Sequence, residues 1–231
     1  MKNYRCVFFD LDHTLWDYEK NSKETLVELY NFHQIDRMAS FSFEQFYHSF
    51  QRVNIQLWEK YDRGLIDRND IRSTRFPKVL ALLNYTDNEL SGRLSEHYHE
   101  LSPTKKSLIP HAIEVLDYLV SRYSLYLVTN GFDKMQTTKV NSGGIRHYFK
   151  DVMTSERAGF KKPEKEIFEL ILQQNGYTCH EAIMIGDNLL TDIAGANNAG
   201  IDSVFYNPNR EPHSGQASYE IASLIDLKSI L

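Results

Sequence analysis

Cysteine is scarce: Cys6 and Cys179 are the only two in 231 residues. A lone pair so far apart builds no disulfide framework, so the expected setting is a reducing one, the cytoplasm. No apolar run approaches the roughly 18 residues of a membrane span. The apolar stretch "CVFF" before Asp10 is too short for the core of a secretory leader. Positive charge is also short: 26 Lys and Arg face 31 Asp and Glu, a net charge of −5. That excludes the basic footprint of a binder of nucleic-acid polymers, and an anionic substrate must be caught by local cations. Glycine and proline are few, and neither a repeat nor a low-complexity tract interrupts the chain. One large domain, or one with an insertion, is the expected organisation.

What is present alternates. "YRCVFFD" (4–10), "SLYLVTN" (124–130), "EAIMIGD" (181–187) and "DSVFY" (202–206) read as strands buried on both faces, with "DVMTS" (151–155) as a weaker fifth. Helical patterns separate them. Pro110 suits a first helical turn, with Ile113, Leu116 and Leu119 or Val120 on one face. Asp133 and Gln136 are spaced as a capping box, Pro163 opens a further helix, and Gly200 closes one that begins near Thr191. Strands alternating with helices predict an α/β protein with a Rossmann-like parallel sheet. Residues 17–105 break the rhythm: they hold helical patterns without a convincing strand. Ser42 and Gln45 again fit a capping box. Phe43, Phe46, Tyr47, Phe50, Val53 and Leu57 follow at helical steps, a stripe that reads as one helix packing on others. The expected division is a core of residues 1–16 and 106–231 carrying an all-helical insertion of residues 17–105. His97 and His99 do not share a helical face and read as unrelated surface residues.

The first strand runs straight into Asp10 and Asp12. In a parallel sheet, binding groups collect beyond the carboxyl ends of the strands. Two carboxylates placed so close repel unless a cation intervenes or one keeps its proton. Both solutions suit phosphoryl transfer, with one carboxylate as nucleophile and its neighbour moving the proton of the leaving oxygen. Mg²⁺ suits such a site. The second strand ends in Thr129, Asn130 and Gly131, able to meet an anion with a hydroxyl and backbone N–H groups. "GFKKP" supplies Lys161 and Lys162, and "GDNLLTD" a second acidic pair, Asp187 and Asp192.

In this order, "DLDHT", "VTN", "KKP" and "GDNLLTD" resemble the motifs of the haloacid-dehalogenase-like (HAD) hydrolase superfamily, over residues 7 to about 206. The resemblance implies Asp10 as nucleophile and Asp12 as general acid and base whose main-chain carbonyl also meets Mg²⁺. It implies Thr129 and Asn130 as the phosphate-holding pair, and Lys162, directly before Pro163, as the neutralising cation. Asp187 would be a metal ligand and Asp192 its support. His13 is read as a turn residue, not a catalyst. The insertion is similar in position to the superfamily's C1 cap. The acid at Asp12 favours phosphate esters over the superfamily's dehalogenase chemistry. "VNIQLWEKYDRGLIDRNDIRSTRF", "TNGFDKMQTTKVNSGG" and "TSERAGFKKPEKEIF" resemble the YjjG/YfnB-type pyrimidine 5′-nucleotidases. The implied partner is a small phosphorylated metabolite, a nucleoside monophosphate first. Trp58, Tyr61, Arg63, Arg68, Arg72 and Arg75 are candidate cap contacts to it. Other phosphatases of sugar phosphates or phosphoglycolate, a sugar phosphomutase, and a catalytically silent binding module are the alternatives.

Overall fold

A computed structural model describes residues 3–231. Packing divides the chain into two units, Met1–Tyr18 with Lys106–Leu231, and Glu19–Lys105. In the first unit lies a sheet of six parallel strands in the order β3-β2-β1-β4-β5-β6. These are β1 (Cys6–Phe9), β2 (Ser124–Thr129), β3 (Phe149–Thr154), β4 (Ala182–Gly186), β5 (Asp202–Tyr206) and β6 (Tyr219–Ile221). The five expected strands are present. The sixth escapes a pattern reading because it is three residues long and buries only Ile221.

Period-2 alternation divides β1 between two cores. Cys6 and Phe8 pack with Tyr126, Met184, Phe168 and Ile171 on one face. Val7 and Phe9 pack with Leu127, Ile183, Leu116 and Leu119 on the other. Every β1 side chain is therefore buried, and a truncation such as Phe8→Ala should cost about 3–5 kcal/mol. Register brings Phe9, the last residue of β1, level with Leu127 of β2 and Ile185 of β4, so β4 runs one residue and β2 two residues beyond it.

The second unit is helical. After α1 (Tyr18–Phe32) come α2 (Ile35–Met38), α3 (Phe43–Asp62), α4 (Arg68–Leu82) and α5 (Asn88–Leu101). The expected box at the start of α3 forms, Gln45 N–H donating to Ser42 Oγ and Ser42 N–H to Gln45 Oε1. The aromatic stripe is internal packing: Phe50 lies 5.7 Å from Phe76 of α4 and 5.1 Å from Tyr98 of α5. Gly64, at φ +72°, makes the tight turn between α3 and α4. The His97 Nδ1 lies 3.3 Å from Nε2 of His33 on α1, a contact between helices that spacing along one helix cannot reveal.

The first unit's helices are α6 (Ala112–Val120), α7 (Asp133–Ser142), α8 (Ser155–Ala158), α9 (Glu166–Asn175) and α10 (Ala194–Asn198). Three expectations are corrected here. Pro110 precedes α6 instead of entering it, and α6 buries Ala112, Val115, Leu116 and Leu119 while Ile113 and Val120 face water. Pro163 lies in the turn before α9, which starts three residues later. Asp133 and Gln136 form no capping box, because both side chains are engaged elsewhere. No helix among the described residues is long and apolar enough to cross a membrane.

Candidate active site

Asp10 directly follows β1, its N–H donating to Ile185 O at 2.9 Å, so it stands at the carboxyl-end side of β1, β2 and β4. Asp187 follows the end of β4. A π-helical turn, Leu189–Ile193, then brings Asp192 back toward the strand end. Carboxylate oxygens of Asp10, Asp187 and Asp192 all lie within 4.8 Å of one another. Asn188 N–H donates to Asp192 Oδ2 (3.0 Å), and Thr14 Oγ1 to Asp187 Oδ1 (2.9 Å). Gly186 leaves room for this arrangement: a β-carbon there would lie 2.2 Å from Asp192 Oδ2.

Lys162 enters from the loop between α8 and α9, beyond the carboxyl end of β3. Its side chain is 2% exposed, and its ammonium lies 2.5 Å from Asp10 Oδ1 and 2.7 Å from Asp192 Oδ1, and donates to Val128 O at 2.7 Å. Asn130 clamps the same residue by its backbone: Lys162 N–H donates to Asn130 Oδ1, and Asn130 Nδ2 donates to Lys162 O. The Lys162–Pro163 bond is cis. The neighbouring Lys161 bonds by its backbone, its N–H donating to Glu164 Oε1 at 3.4 Å.

One ammonium among three carboxylates leaves a surplus of negative charge. Burial tends to neutralise Lys162, but Asp10 and Asp192 outweigh it and hold its proton more firmly than usual. The surplus falls on the acids. Burial, then the charges of Asp192 and Asp187, drive the Asp10 carboxyl well above its ordinary range despite Lys162. Asp187 is pushed up to about 7 by burial and by Asp192. Three hard oxygen donors with unbalanced charge, Asp10 and Asp192 buried and Asp187 half-buried, fit a divalent cation such as Mg²⁺.

Asp12 stands apart with its own cation, which sequence reading missed. Lys139 Nζ lies 2.6 and 2.8 Å from the two Asp12 oxygens, and Gln136 Nε2 donates to Asp12 Oδ2 at 2.8 Å. Burial raises this carboxyl, but Lys139 and Gln136 prevail and lower it overall. Thr129 Oγ1 accepts from Gln136 Nε2 (3.0 Å) and from Gly131 N–H (3.1 Å). His13 turns the chain just after, at φ +64°. A signal for Lys139 existed in "DKMQTTKVNS": a helix flanking a parallel sheet with almost no apolar stripe must turn polar groups inward.

The cap candidates occupy separate places within the helical unit. Trp58 and Tyr61 pack edge to face at 5.5 Å. Arg75 lies over the rings of Phe50 and Tyr98, its Nε buried, which makes it part of the unit's interior packing. Arg63 caps the end of α3; Arg68 and Arg72 are exposed on α4, where Arg72 O accepts from Ser95 Oγ.

Comparison with known proteins agrees with this geometry. The family model described as haloacid dehalogenase-like hydrolase matches residues 4–200. The pyrimidine 5′-nucleotidase PynA of Streptococcus pneumoniae is 33% identical over 99% of this chain and 95% of its own. The pyrimidine 5′-nucleotidase YjjG of Escherichia coli is 30% identical over 97% of this chain and 96% of its own. A crystal structure of the HAD-hydrolase YfnB from Bacillus subtilis, bound to magnesium, superposes with a TM-score of 0.88 at 29% identity, covering 100% of this chain and 99% of that one.

Proposed function

This chain belongs to the haloacid dehalogenase-like hydrolases, and on that premise we propose that it is a Mg²⁺-dependent phosphatase of nucleoside 5′-monophosphates, pyrimidine nucleotides first, acting in the cytoplasm. The observation that carries the chemistry is the Asp10 carboxyl at a strand end, bonded to buried Lys162 and within reach of two further acids.

Asp10 attacks phosphorus as the bond to the leaving oxygen breaks, giving an aspartyl phosphate. Asp12, a carboxylate paired with Lys139 in this structure, has to enter this step carrying the proton it takes up in the hydrolysis of the previous turnover, and hands it to that oxygen. Water then attacks the phosphorus and yields a proton to Asp12, releasing inorganic phosphate and regenerating the Asp10 carboxylate. Thr129, Asn130 and Lys162 hold phosphoryl oxygens, Lys162 by charge. Asp10, the Asp12 main-chain carbonyl and Asp187 would hold Mg²⁺, with Asp192 in support. When bound, the cation supplies Lewis-acid neutralisation of phosphoryl charge.

Asp12 favours esters over halides: a halide leaves as an anion and needs no proton, whereas an alkoxide does. Nothing in this machinery distinguishes one monoester from another, so discrimination falls to residues 19–105, acting as a cap. The near full-length similarity to two pyrimidine 5′-nucleotidases includes that segment and supports a nucleoside as leaving group. Phosphate release over a panel of phosphorylated metabolites with Mg²⁺ tests the reading. Nucleoside monophosphates should lead it; a panel headed by hexose or triose phosphates overturns the specificity but not the chemistry.

A further inference from the structure

Asp10 and Asp12 have separate counter-ions. Lys162 serves Asp10 from the loop before α9, while Lys139 serves Asp12 from α7. Lys139 is only 5% exposed, and its ammonium lies 4.5 Å from the centre of the buried Trp16 ring. Such a charge is retained in an enclosed site only with a partner, and both Asp12 oxygens fill that role. Gln136, 1% exposed, adds a second fixed point by bonding Asp12 and Thr129 through one nitrogen, while its buried Oε1 has no partner. That side chain lies where a β-carbon of residue 131 would be: the added atom would sit 1.7 Å from Gln136 Nε2. Gly131 is thus the slot that admits Gln136.

A carboxyl two residues from the nucleophile has two torsions free to rotate. Left unheld, it would swing toward water or toward the cation shared by the other acids. Proton transfer requires it within hydrogen-bond reach of the leaving oxygen, and a misplacement of about 1 Å can cost about 100-fold.

We propose that Lys139 and Gln136, seated by Gly131, are positioning residues that fix the Asp12 carboxyl for proton transfer to the leaving oxygen and keep it apart from Asp10. The assignment rests on the phosphatase reading. It concerns the orientation of Asp12 and adds no step to the reaction. Lys139 acts through Asp12 and does not touch the reacting atoms.

Leaving-group dependence separates positioning from mere structural support. A nitrophenolate departs readily without a proton, while an alkoxide does not. The parameter kcat/KM covers events only through phosphoryl transfer to Asp10, so the later use of Asp12 with water does not enter. The experiment measures kcat/KM of wild type, Lys139→Met, Gln136→Met and Gly131→Ala on two alkyl esters, uridine 5′-monophosphate and glycerol 3-phosphate, and on p-nitrophenyl phosphate. Lys139→Met should lower the alkyl values about 100-fold and the aryl value less than about tenfold. Gly131→Ala should shift the ratio in the same direction without removing a charge, and Lys139→Arg should recover part of the loss. If Lys139→Met does not fold, the Gly131 and Gln136 variants carry the test. Equal losses on alkyl and aryl esters in the variants that fold overturn the positioning role and leave the phosphatase reading intact. A wild type that releases phosphate from none of the three esters overturns both.

Discussion

The Lys162 ammonium lies 2.5 Å from Asp10 Oδ1, in a setting where the lysine is almost wholly buried. The pair is not balanced, because Asp192 shares the same ammonium and Asp187 stands close by. Lys162→Met would leave this cluster of three carboxylates without its ammonium. Activity should fall about 100-fold or more, with KM and kcat both affected, because phosphate charge is present in substrate and transition state alike. Normal kinetics in that variant would transfer the role to another cation.

The same surplus predicts a pH-dependent response to metal. Asp187 titrates near 7 in the folded protein, above the ordinary carboxylate range, so its charge favours unfolding. The sign follows: this group's cost is absent in acid, grows as pH rises from about 4 toward about 7, and is offset by a cation that binds the ionised form. Mg²⁺ should therefore raise Tm more at about pH 8 than at about pH 5. Equal shifts at the two pH values, read by thermal unfolding, contradict the assignment of Asp187 to the metal site.

Gly186 offers a test that leaves every charge in place. An added β-carbon would collide with Asp192, so Gly186→Ala should displace that carboxylate and raise the Mg²⁺ concentration needed for half-maximal activity by about tenfold. An unchanged requirement would separate Asp192 from metal support.

How much of this was legible beforehand depended on where each partner lay. The aspartates at strand ends were readable because a parallel sheet exposes its carboxyl ends and the apolar runs stop there. Asn130 was expected to present backbone N–H groups to phosphate, yet its side chain is committed to the Lys162 peptide, a pairing across 32 residues. Gln136 carried the right spacing for a cap. It turned inward instead, because Asp12 and Thr129 offered buried partners that local pattern cannot show. Ile113 fitted a helical face one position away from the one that packs, and a single helix's periodicity does not choose between adjacent faces when both carry apolar residues.

Specificity should reside in the helical unit. Trp58 and Tyr61 form an aromatic pair near the end of α3, and Arg68 and Arg72 stand exposed on α4. Substituting a residue that contacts the base should reduce kcat/KM for nucleotides by about ten- to two-hundredfold, or about 1–3 kcal/mol, while sparing p-nitrophenyl phosphate. Alanine variants at these four positions that leave the substrate ranking unchanged would place recognition elsewhere in the unit.

The central claim is that Asp10 carries the phosphoryl group. Acid quench during turnover with Mg²⁺, followed by mass spectrometry of the peptide containing residues 4–10, measures it directly. The account predicts a phosphoryl adduct on Asp10 that is absent from Asp10→Asn, with turnover in that variant reduced by several orders of magnitude. An adduct on another residue, or an Asp10→Asn enzyme within about tenfold of wild type (about 1.4 kcal/mol), would contradict it.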